Sequence, residues 1–360
     1  MIGPRLKLAR TAAGLSLRGL AAAMDHRVTA QAIGKYERNE AMPGSGVLMA
    51  LADGLQTTVE YLLGDPELVL DGLEFRKNAF TSKRAEAQAK ATVLAHLERY
   101  LAIEDILRLP STRWDAPRDA PYPVLHDPIE ADRAADALRH HWGLGHEPVP
   151  ILVELLEERG IKIFAFPLGS IGGLAARARR AGLPSVPFIV VNAGDWGERQ
   201  RFTIAHELGH IVLSVPLHLD AERAAHRFAG ALLMPAEALW LEVGKHRSAI
   251  PLGELLALKH VFGVSIQALT HRCGDLDIIN QATYRALFSE FDRLGWRTHP
   301  YKEYGAMAGE RPNRFNRLCL RALAEGAISE SKAAELLDIG IVEVDHYMRG
   351  TRPPSSSVAE

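Results

Sequence analysis

Two cysteines in 360 residues, Cys273 and Cys319, are too few for a disulfide framework or a cysteine-based zinc cluster. Both read as idle thiols inside a core. No apolar run is long enough to span a bilayer, and none near the first residue reads as an export signal. With so little cysteine, the expectation is a cytoplasmic protein with no membrane partner. A charge excess of one sign is missing too: 42 Lys and Arg stand against 44 Asp and Glu, a formal net charge of −2. Any grip on nucleic acid must come from a local patch, or from a dimer that doubles one. No internal repeat of solenoid period is found.

What remains is an ordinary globular composition, 47% hydrophobic and 24% charged, on a chain too long for one core. The pattern predicts a mostly α protein: an N-terminal all-α domain and a small mixed α+β domain. The expected divisions are 1–66 for the first domain and 67–126 for a helical connector with a Pro-rich linker. Residues 127–282 are expected to form the mixed domain, 283–350 a C-terminal helical region, and 351–360 a disordered tail. Residues 81–109 lack Pro and Gly and predict one long helix. Val93, Leu94, Leu97 and Leu101 share one of its faces, which packs on its own chain or forms a dimer. Residues 111–126 carry three prolines and read as extended linker. Strands are expected at 161–166, 172–177 and 187–192, ahead of a helix over 198–213.

That last helix carries AHELGHIVL at 205–213. His206 and His210 lie four apart, so both imidazoles leave one helix face and can share a tetrahedral zinc ion. Glu207 is turned away by about a third of a turn, which suits a base beside the metal. Zinc lowers the pKa of its water toward ~7, and Glu207 takes the proton. Gly209 leaves room for close backbone approach. A third ligand is needed. The next helix offers Glu222 and His226, four apart on one face. Glu222 is the expected ligand, with His226 donating a hydrogen bond to charge that develops in the transition state. The exchanged assignment competes, while His218 and Asp220 fall in the turn.

The runs RFTIAHELGH (201–210) and ERAAHRFAGALLMP (222–235) resemble the ImmA/IrrE metallo-endopeptidase family. The resemblance implies a zinc-dependent endopeptidase that cleaves helix-turn-helix repressors and so switches on stress-response or mobile-element genes. It carries zinc ligation to His206 and His210, the catalytic role to Glu207, and the acidic third ligand to Glu222. Many relatives have a further acidic residue where Ala224 stands, and there this chain departs from the pattern.

In the N-terminal module, Ser16 and Thr29 stand at N-cap positions before two short helices. Ala21, Ile33 and Tyr36 are placed to pack the pair. Gln31 can pair two-pronged with adenine in a major groove. Arg18, Thr29, Lys35 and Arg38 are candidate phosphate contacts. Leu15-Ser16, Leu20-Ala21, Tyr36-Glu37-Arg38, Pro43 and Leu62-Leu63-Gly64 resemble the Cro/C1-type (XRE) helix-turn-helix family. Two features depart from it. The turn at residues 25–28 is long, and seven basic residues face five acidic ones. So small a positive charge implies a homodimer on a two-fold operator.

In 252–282, His246 just before it, His260 and His271 read as surface or capping residues. Residues 312–325 and 329–337 are expected helices, and a further short helix starts at Glu343-Val344. These mimic a second helix-turn-helix, or pack or bind a partner. Two functions compete. One is a DNA-binding regulator that cleaves a repressor or partner regulator with Zn2+. The other is a non-proteolytic repressor, or antitoxin-like protein, using the peptidase fold as a ligand or metal sensor.

Overall fold

The computed structural model describes residues 2–64, 68–71, 83–109, 114–168, 172–180, 183–297 and 305–350. The expected tail at 351–360 lies outside them. Two compact units are present. One comprises Met1–Arg113, Arg177–Val186 and Asn313–Glu360, and the other Trp114–Ala176 and Pro187–Pro312. Among the described residues, no single helix is long and apolar enough to cross a membrane.

The first unit opens with five short helices, Gly3–Ala12, Leu17–Ala23, Ala30–Glu37, Ser45–Gly54 and Val59–Leu63. Their starts are written in hydroxyls. Ser16 accepts from the Gly19 N–H at 3.0 Å, Thr29 from Ala32 at 3.2 Å and Thr58 from Tyr61 at 3.1 Å. Each satisfies one orphan donor of a first turn. Leu6, Leu20, Ile33, Leu51 and Leu62 are fully buried between the helices, with Ala21 and Tyr36 at the contact of the helix-turn-helix pair. The long turn closes because Asp25 and His26 both take left-handed backbone, with φ of 52° and 56°. That bend lets the His26 N–H reach the Ala21 carbonyl at 2.8 Å. Asp and His are among the non-glycine residues that tolerate this region.

The helix Lys83–Ile106 follows from a run without Pro or Gly. Val93, Leu97 and Leu101 on its predicted face are at most 1% exposed, and each contributes about 1.5–3 kcal/mol of burial. They are covered by the chain's own helices Gly3–Ala12 and Arg314–Ala324. This face is therefore an intrachain seam and not a free dimer surface. Arg5 pairs with Glu98 and Arg314 with Glu104 along it. The last three helices are Arg314–Ala324, Glu330–Leu337 and Ile341–Met348. They pack through Cys319, Ala322, Ala333, Leu336 and Val344. Burial pushes the Cys319 thiol up to about 12, and that of Cys273 in the other unit equally, so both are inert at neutral pH. A strand not expected from the sequence, Leu68–Asp71, runs antiparallel to Arg177–Arg180.

In the second unit Lys162–Phe166 runs parallel to Val186–Asn192, with Lys162 opposite Phe188. Val186–Asn192 is buried along its whole length, as a strand covered on both faces must be. The helix Gly197–Val212 follows it. The segment expected to be extended linker is partly core: Tyr122-Pro123 pairs in parallel with Leu213-Ser214, and Tyr122 and Val124 are buried. Its prolines are tolerated because the Val124 N–H makes the bond to the Ser214 carbonyl, at 3.0 Å. The helices Ala131–Trp142, Ala221–Leu233 and Ile266–Asp275 are tied by ions. Asp132 accepts from Arg227 at 3.0 Å and Arg272 at 2.8 Å, and Arg227 also pairs with Asp275 at 2.9 Å.

Candidate metal centre

His206 and His210 project from Gly197–Val212, and Glu222 from the first turn of Ala221–Leu233. The two Nε2 atoms are 3.1 Å apart. One Glu222 oxygen lies 3.5 Å from His206 Nε2, and the other lies 3.5 Å from His210 Nε2. Zinc ligands at about 2.0–2.2 Å in a tetrahedron are separated from each other by about 3.3–3.6 Å. The His206–His210 edge is a little shorter than this and the two 3.5 Å edges end on different Glu222 oxygens, yet the three side chains converge closely enough to share one ion. Two imidazoles that turn the same nitrogen toward one carboxylate also form the donor set zinc prefers. Among the described residues, this is the group of His, Asp and Glu side chains close enough to hold an ion.

Four further residues take distinct places. Glu207 follows the first histidine on the same helix and is buried, at 5% exposure. Its Cγ lies against Gly173, where a Cβ would come within 3.4 Å of it and 2.5 Å of Thr203 Cγ2. His226 lies outside the ligand group, its exposed ring edge-on to His206 at 4.5 Å. Asp220 caps the helix, accepting from the N–H groups of Glu222 and Arg223 at 3.0 and 3.1 Å. Ala224 is fully buried in the core. The departure from the family pattern at Ala224 therefore leaves the three-residue cluster intact.

The meeting of the two helices depends on Gly209. A Cβ there would stand 3.2 Å from the Ala225 Cα and 3.2 Å from Phe228 Cδ1. Gly209→Val is expected to force the helices apart, at about 1–3 kcal/mol of overpacking. Because Glu222 rides on the displaced helix, zinc affinity should fall about tenfold or more. Competition against a chromogenic chelator measures this, and unchanged affinity would contradict it.

The other end of the zinc-site helix is held by residues that no local pattern marks. Arg201, 6% exposed, pairs with Glu310 and donates to the Val149 carbonyl. Glu310 in turn accepts from the Val153 N–H at 2.7 Å. Glu198 is buried against Lys259 at 2.7 Å and accepts from the Met307 N–H at 3.0 Å. The partners are distant in the chain, so sequence spacing carries no signal of them.

Arg18, Thr29, Gln31, Lys35 and Arg38 are all exposed. Gln31, Lys35 and Arg38 recur at helical spacing on one stripe. The Thr29 oxygen is the cap of that helix, and Arg38 donates to Glu40 at 2.6 and 2.9 Å. That hydrogen bond holds the Glu40 carboxyl below its usual range. Glu37 faces inward and takes Arg10 at 2.5 and 3.0 Å.

No curated protein and no solved structure matches this chain. Two family models do. Residues 156–274 match the IrrE N-terminal-like domain of the M78 peptidases, a span that contains the whole His206–His210–Glu222 cluster. Residues 6–62 match the helix-turn-helix model, a span that runs from within the first of the five helices to within the fifth. The chain therefore joins a helix-turn-helix domain of the XRE type to an M78-type, IrrE-like peptidase domain.

Proposed function

We propose that this protein is a DNA-binding regulator whose second domain is a zinc-dependent endopeptidase, acting on a helix-turn-helix repressor or a partner regulator. The observation that carries the reading is the convergence of His206, His210 and Glu222 within reach of one ion, with the buried Glu207 next to His206 on the same helix. His206, His210 and Glu222 would hold a zinc ion, which would supply the Lewis acid that polarises a peptide carbonyl and acidifies water. Glu207 Oε takes the proton of the attacking water and hands it to the departing amide nitrogen. His226, exposed on the outer side of His206, donates to the carbonyl oxygen as it gains charge. Residues Arg18, Thr29, Gln31, Lys35 and Arg38 hold duplex DNA, two copies of the chain on a two-fold site. Joining the two modules raises the local concentration of peptidase around a DNA-bound target.

The test starts with metal. The purified chain should carry one zinc, and Glu222→Ala should lose it while keeping duplex binding. Incubation with helix-turn-helix repressors encoded beside it should yield a cleavage product that chelator abolishes. A wild-type chain with no zinc and intact operator binding would favour the non-proteolytic sensor instead.

A further inference from the structure

The phosphate grip of the helix-turn-helix module is weaker than its seven basic residues suggest. Arg5 is tied to Glu98, Arg10 to Glu37 and Arg38 to Glu40. The helix Lys83–Ile106, outside the matched helix-turn-helix span, brings another cation beside the module. Arg84, exposed in its first turn, donates to the Gly14 carbonyl and has no carboxylate partner among the described residues. Its side chain lines an open cleft of about 210 Å³ with Arg10, Thr11, Gly14, Ser16 and Gln88. Ser16 is the cap of the first helix of the helix-turn-helix pair, two residues before Arg18. Its oxygen accepts from Gly19, so its hydroxyl hydrogen is left to donate. Helix-turn-helix proteins cross the DNA backbone with that first helix. Arg10 is spent on Glu37 and the Leu15 carbonyl and the Thr11 hydroxyl on the Lys7 carbonyl, so the donors this cleft offers at the element that meets phosphate are the Ser16 hydroxyl and the guanidinium of Arg84, anchored at its edge by one hydrogen bond.

We infer that Arg84 is a DNA-phosphate contact, so the DNA-binding surface of this chain continues from the helix-turn-helix domain onto the connector helix. The inference rests on the DNA-binding reading of the module and deepens it. Gly14 holds one edge of the guanidinium and leaves its remaining N–H groups for phosphate oxygens. Such a contact carries no sequence preference, so a long random-sequence duplex is a sufficient probe.

The experiment is fluorescence anisotropy of that duplex with the full-length chain, Arg84→Gln and Arg84→Lys, between about 50 and 200 mM salt. For each copy bound, Arg84→Gln should flatten the log–log salt dependence by about 0.9, so the wild-type advantage grows about 3.5-fold on going to the lower salt. Arg84→Lys should keep the wild-type slope. Identical slopes for wild type and Arg84→Gln overturn the assignment. Weaker binding at an unchanged slope overturns it as well, since that is a structural effect. A free-anion site would show as Arg84-dependent competition by inorganic phosphate at constant ionic strength without any change of slope, and this too would reject a DNA contact. A wild-type chain that binds no duplex defeats the DNA reading itself, an outcome distinct from the equal-slope result.

Discussion

Glu207→Gln is expected to slow peptide cleavage by about 10²–10⁴-fold while leaving zinc content and DNA affinity unchanged. The substitution keeps the size and outline of the side chain, so its packing against Gly173 is preserved. What it removes is the capacity to accept a proton. Glu207 is also not a member of the His206–His210–Glu222 ligand group, so the metal should remain. Single-turnover cleavage of a repressor substrate, measured with metal analysis on the same sample, separates the two effects. Cleavage at the wild-type rate would show that the proton is taken elsewhere and would end the hydrolytic assignment of Glu207. Loss of zinc along with activity would instead move Glu207 into the metal-binding set.

The largest expected effect on stability belongs to Asp132→Ala. Asp132 accepts from both Arg227 and Arg272, and the Arg272 side chain is 2% exposed. Removing the shared carboxylate leaves one deeply buried guanidinium without its ion partner and takes one of two carboxylates from the other. Breaking a buried pair by deleting one partner costs about 3–5 kcal/mol, because the remaining charge is desolvated and uncompensated. Arg227 lies on the helix that carries Glu222, so this destabilisation should also loosen the metal centre. Urea unfolding should give a lower midpoint at an unchanged slope. A loss below about 1 kcal/mol, the scale of a surface pair, would mean that water or a neighbouring group already compensates these arginines. Asp132→Asn, which keeps a hydrogen-bond acceptor, should lose less than Asp132→Ala.

The elements that were legible in the sequence are those whose cause is local. Ser16, Thr29 and Ser329 announce helix starts because a hydroxyl at that place meets an N–H three residues on. The apolar stripe of Val93, Leu97 and Leu101 announces a buried face, but not which surface covers it. The pair His206 and His210 is legible because helix geometry alone brings four-apart residues together. The third member of the cluster is not legible in the same way. Glu222 and His226 also share a face, and only the crossing of the helices at Gly209 and Ala225 brings the carboxylate to both imidazoles. The strands Leu68–Asp71 and Tyr122-Pro123 went unread for a related reason. They are four and two residues long, and their hydrogen-bond partners lie far along the chain. Short strands have no periodicity of their own to detect. Arg84 belongs with these cases: its meaning comes from Gly14 and Ser16 across a helix packing that the local sequence does not encode.

The compact unit that contains the helix-turn-helix is assembled from three stretches of chain, Met1–Arg113, Arg177–Val186 and Asn313–Glu360. A fragment cut at residue 113, the ordinary way to separate the N-terminal helices from the rest of the chain, would orphan Arg177–Arg180 from the strand it pairs with. It would also strip the floor from beneath Arg314–Ala324, whose Phe315 lies 5.5 Å from Tyr100. Genetic dissection of this protein therefore calls for point substitutions in the intact polypeptide, since half-length clones would confuse lost chemistry with lost folding.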